Sequence, residues 1–163
     1  MKRKTLTVTT TSLSTLTYIV IALILSTAVI YFIAAFQGYS GLSRSVSSQS
    51  SGTGSISKDA LADIIGTANE MIFFMIVGIA YITVGVWIVK RKDHSKLPYI
   101  VAIIGSAALI VFYIATRAVS IPSIGLQTDI GSIDIVAKVL QSTIIVGSLL
   151  VLGLSKRFAI IDR

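Results

Sequence analysis

Apolar positions fall into four long runs, and polar and charged positions cluster between them. Met71–Val89, MIFFMIVGIAYITVGVWIV, carries no charge and is followed at once by Lys90, Arg91 and Lys92. A helix over these residues is apolar on every face, and at 1.5 Å per residue it reaches ~28 Å, the depth of a bilayer's hydrocarbon core. Three other segments repeat the pattern. The chain is therefore expected to be an all-α, polytopic membrane protein forming a single domain. Four transmembrane helices, at about 18–36, 60–89, 98–117 and 132–154, are expected in an up-down bundle with both termini cytoplasmic.

The connections follow from composition. Residues 37–58 contain nine Ser and four Gly. Such a stretch cannot bury enough apolar surface to fold alone, so it is expected to be an outer loop. Ser57 or Asp59 can cap the second helix, and Asp59, Asp63 and Glu70 suit its positive end, which projects two or three turns past the membrane. The short basic connection 90–97 makes the second and third spans antiparallel neighbours. Pro98 fits a first helical turn. Arg117 closes the third span, Pro122, Gly125 and Gly131 break the following loop, and Ser132 is a suitable cap for the fourth span.

Charge sets the orientation. The first tail, the 90–97 loop and the last tail hold ten of the fourteen cations against Asp93 and Asp162, a net +8; the opposite side nets −1. The positive-inside rule places both termini in the cytoplasm, most simply at the cell (plasma) membrane. Trp87 and Tyr99 then fall at an inner aromatic belt, Tyr39 and Tyr113 at an outer one. The overall +7 sits beside apolar segments and not on a soluble face. It acts as a topology signal, and no nucleic-acid partner is expected. Lys90, Arg91, Lys92 and Lys96 can attract anionic lipid headgroups. Scarce Asn and Gln, no Cys and abundant Ile suggest a hot, archaeal-like habitat.

Candidate chemistry is sparse. With no Cys and a single His, His94 in a solvated loop, neither thiolate chemistry nor a His-cluster metal site is expected within the chain. No cofactor and no catalytic residues are expected. Four charges gather at the outer end: Glu70, Arg117, Asp134 and Lys138. Lys138 lies one turn beneath the interface, four residues after Asp134, and can snorkel or find a carboxylate. This group reads either as a substrate, quinone-head or proton site, or as an ion-paired clasp. The clasp weighs more, because interfacial charges cost far less than midplane ones.

Met71 and Met75, one turn apart, resemble the methionine pair of copper-transporter helices. That family also pairs glycines as GxxxG on the following span. Here Gly105 has no second glycine four away, so core packing is the expected role. Ala22 and Ser26, Ala102 and Ser106, and Gly78 and Gly85 mark close helix contacts. The functional expectation is a non-catalytic small subunit supporting a larger membrane complex, for instance a respiratory or other redox complex. Its partners would be membrane lipids and other subunits or copies of itself. The alternatives are a structural protein of an archaeal virus envelope, or a small transporter using Glu70 and Lys138.

Overall fold

The computed structural model describes the backbone of residues 2–50, 57–91, 95–118 and 131–161, and the side chains of 13–47, 57–58, 60–91, 95–118 and 131–155. Lys92, His94, Pro122, Gly125 and Asp129 lie outside the described residues. The described residues form four helices: α1 (Lys2–Ser50), α2 (Lys58–Arg91), α3 (Leu97–Ala118) and α4 (Ser132–Ile161). All four are long and apolar enough to cross a membrane. Val29, Ile79, Ile104 and Val146, one from each helix, are more than half exposed. An apolar surface of this extent is the mark of a chain solvated by lipid.

The helix ends follow from local chemistry. Ser57 starts α2: its carbonyl accepts from Leu61 N at 3.1 Å and its hydroxyl from Ala60 N at 3.2 Å. Lys90 and Arg91 in the last turn suit its negative end. Ser95 Oγ accepts from Leu97 N at 3.3 Å as α3 begins. The cap of α4 is Gly131 and not Ser132: the Gly131 carbonyl accepts from Asp134 N at 3.1 Å and Ile135 N at 3.3 Å. Asp134 adds a carboxylate to the first turn.

The expected loop over 37–58 is corrected most. Helix α1 continues to Ser50. Composition misleads here because serines in a helix can donate back to the preceding turn. Ser40 Oγ donates to Gln37 O at 2.8 Å, Ser43 Oγ to Ser40 O at 3.0 Å and Ser47 Oγ to Ser43 O at 2.7 Å. The extension also has a partner: a Cβ at Gly38 would lie 3.4 Å from Met71 Cβ.

Contacts between helices pair positions whose numbering runs in opposite directions. Along α1 and α2, Gly38 meets Met71, Phe32 meets Gly78, and Ile24 and Leu25 meet Gly85. Along α1 and α4, Tyr31 meets Gln141 and Val20 meets Gly147. Tyr81 and Phe73 of α2 meet Ser106 and Phe112 of α3. Arg117 and Leu109 of α3 meet Asp134 and Lys138 of α4. The tightest approach is at Gly147, where a Cβ would come within 2.9 Å of Val20 Cγ2. Small residues let helices approach this closely where lipid supplies no hydrophobic drive. Of the expected contact pairs, Gly78 and Gly85 lie against α1, and Ala102 and Ser106 are buried, whereas Ala22 and Ser26 face outward. Met71 packs on α1, but Met75 is 43% exposed and is not core.

Candidate functional site

Levels along the bundle come from these pairings. Arg117, Asp134 and Glu70 lie near one end of the bundle, called the outer end after the orientation expected from charge, as their order in sequence requires. Arg117 Nη2 and Asp134 Oδ2 form a salt bridge of 3.0 Å. The guanidinium lies over the Tyr113 ring, 3.8 Å from its centroid. Tyr113 is thus turned into the bundle, half-buried, and is not an outward belt residue. Tyr99 at the inner end is likewise only 2% exposed, its hydroxyl donating to Thr17 Oγ1 at 3.3 Å.

Lys138 has its hydrogen-bond partners inside the bundle. Its ammonium points inward, donating to Gln141 Oε1 at 3.0 Å and to Leu109 O at 3.4 Å, and lies 4.8 Å from the Tyr113 centroid. A backbone carbonyl has two lone pairs, so Leu109 O can accept from outside its own helix. Gln141, fully buried, donates through Nε2 to Tyr31 Oη at 2.7 Å. The Tyr31 ring stacks on Tyr81, centroids 5.9 Å apart and 12° from parallel. Tyr81 Oη and Ser106 Oγ lie 3.0 Å apart. A polar chain therefore descends from the outer charges to the middle of the spans. Each hydrogen bond in it joins groups that hydrocarbon would otherwise leave unsatisfied, and the Tyr31–Tyr81 stack connects them, which is why such a chain fixes how the helices face one another.

Above that chain is a cavity of about 270 Å³ to which all four helices contribute. Its walls are aromatic: Tyr31, Phe73, Phe74, Phe112 and Tyr113. Phe73 and Phe112 are 5.2 Å apart between centroids, and Tyr31 and Phe74 are 5.8 Å apart. Glu70, Asp134 and Lys138 supply charge, and Asn69 an amide. A second, more open hollow shares Ala34, Glu70, Phe74 and Asp134 with it and reaches Gln37, Thr67 and Ser132.

Of the four expected site residues, Arg117 and Asp134 pair directly, while Glu70 and Lys138 share the cavity wall. Lys90, Arg91 and Lys96 are exposed at the opposite end, as a headgroup contact requires. Gln141, Tyr31, Tyr81 and Ser106 join the site as uncharged polar residues, which a pattern of charges does not mark. For Gln141 the signal is a stripe on α4, where Asp134, Lys138, Gln141 and Ser148 recur at helical spacing. No family model, curated protein or solved structure matches the chain, so residues and geometry carry the functional reading.

Proposed function

We propose that the chain crosses the cell membrane four times as an up-down bundle, both termini cytoplasmic, and serves as a non-catalytic subunit of a larger membrane assembly. The observation that carries this is the outward continuation of α1 and α2. With Arg117 and Asp134 marking the outer ends of α3 and α4, residues 37–50 carry α1 past them by ~21 Å. Residues 58–69 of α2 accompany it. On this projection Val46, Leu61 and Ile65 are 49%, 49% and 52% exposed. Beyond the hydrocarbon these side chains face water, and exposed apolar side chains gathered on one feature suit a protein partner.

Purification in gentle detergent followed by native mass spectrometry tests this reading. Larger partner subunits should co-purify and be lost when Leu61→Ser and Ile65→Ser are combined. A chain that runs alone, with or without those substitutions, would overturn it. Many copies of this chain with a nucleocapsid protein would favour the virus-envelope alternative.

The cavity favours a second reading, a small transporter using Glu70 and Lys138. Transport also needs a route through the inner half, where Ile24, Ile88 and Ile144 are fully buried and Gly147 abuts Val20. Lys138→Met should abolish flux in liposomes if this reading holds; unchanged flux removes it.

A further inference from the structure

The geometry points to a ligand site in the outer cavity, shaped for a flat, uncharged ring that bears carbonyl oxygens, the head-group chemistry of a quinone. This goes beyond the assembly reading and stands without it, since the site lies within one copy of the chain.

Size comes first. An apolar cavity of about 150 Å³ holds one benzene ring. At about 270 Å³ this one has room for one substituted ring or two fused rings, and not for a drug-sized molecule. Shape comes next. Five aromatic side chains, Tyr31, Phe73, Phe74, Phe112 and Tyr113, line the cavity, and aromatic linings favour a flat, stackable guest.

Charge narrows the class. The fixed charges at the cavity and its rim are Glu70, Asp134, Lys138 and Arg117, which sum to zero. An anion would meet Glu70 and Asp134, and a cation would meet Lys138. A neutral guest meets neither penalty. Hydrogen bonding then sets the polarity of its edge. An ammonium has three donors. Two from Lys138 go to Gln141 Oε1 and Leu109 O; the third meets only the Tyr113 ring, 4.8 Å away at its centroid, a weaker partner that a carbonyl in the cavity can replace. Gln141 cannot swing away to serve the guest itself, because its amide is held between Lys138 and Tyr31. A carbonyl oxygen on a ring is the acceptor that fits beside aromatic walls. An apolar tail on such a ring would leave between α2 and α3, the least extensively packed neighbours in the bundle.

The test uses the full chain in phosphatidylcholine nanodiscs and radiolabelled 2-methyl-1,4-naphthoquinone as probe, with protein-free nanodiscs subtracted. Saturable binding at one site per chain is expected. On the same wild-type protein, 2-methylnaphthalene, which keeps the rings and lacks the carbonyls, should bind about tenfold more weakly or worse, the cost of one charge-assisted hydrogen bond. Lys138→Met should weaken the quinone by a similar factor and leave the hydrocarbon unaffected. Ala34→Leu, which fills the shared wall, should abolish saturable binding of both.

Four results would overturn the proposal: uptake that never saturates, equal affinity for the carbonyl-free analogue, tighter binding of a naphthylmethyl-trimethylammonium cation, or binding that survives Ala34→Leu. The analogue and cation comparisons need no substitution, so a variant that fails to fold does not shield the idea.

Discussion

The two halves of the bundle solve the packing problem in opposite ways. In the inner half, Ile24, Ile88 and Ile144 are fully buried, and glycine brings backbones together at Gly85 and Gly147. In the outer half, large rings hold the helices apart around a cavity, and hydrogen bonds through Lys138, Gln141 and Tyr31 supply the cohesion. Lipid gives no hydrophobic drive between helices, so each half must find van der Waals or polar contact instead. The inner half gains fixity from close contact. The outer half gives up some of that contact and keeps a chamber with aromatic walls and a few charged groups in return.

Substitutions that force one half to behave like the other sharpen the contrast. The largest effect is expected at Gly147. Leucine there would drive Val20, a stiff β-branched side chain, off α4, and overpacking of this kind costs about 2–3 kcal/mol. Thermal unfolding in detergent should show the loss, while Gly153→Ala, with nothing within 4 Å of the added Cβ, should be close to neutral.

Next comes the outer chain. Gln141→Leu keeps the volume roughly but strips a partner from both Tyr31 and Lys138. A loss of about 1–3 kcal/mol is expected, the cost of leaving buried polar groups unpaired. Adding Lys138→Met should restore part of that stability; strict additivity in the double-mutant cycle would show that the two side chains act independently.

Filling the outer cavity should matter far less to the fold than filling the inner seam. Ala34→Leu is expected to shift stability by under about 1 kcal/mol, because its new atoms enter open space. A Gly147-sized penalty there would erase the distinction between the halves. The smallest effect is expected at Ser148, fully buried with its hydroxyl lacking a hydrogen-bond partner. Ser148→Ala removes that orphan and should be neutral or stabilising by up to about 1 kcal/mol.

How legible these features were depended on the kind of signal. Uncharged runs closed by Lys90 and Arg91, or by Arg117, mark the spans because burying a charge in hydrocarbon is costly. The Ser- and Gly-rich stretch after Phe36 reads as a loop because composition cannot register that its serines bond back to their own helix, or that Gly38 rests on Met71. The outer charges were visible individually, but their partners were not. Asp134 precedes Lys138 by one turn, yet it bonds Arg117 on another helix, a choice made by how α3 meets α4. Gln141, Tyr31 and Tyr81 escaped notice because uncharged polar residues depress hydropathy only slightly. The polar spacing along α4 can mark Gln141 alone; Tyr31 and Tyr81 lie on α1 and α2, where no such spacing singles them out.

The account depends most on which end of the bundle faces out. The chain has no cysteine, so single cysteines can be placed without background. Ser43→Cys, on the α1 projection, and Lys96→Cys, at the start of α3, are to be probed in intact cells with a membrane-impermeant maleimide. Labelling at position 43 before permeabilisation, and at 96 only after it, is the predicted result. The reverse order would contradict it, placing the charged cavity on the cytoplasmic side and the cation-rich end outside.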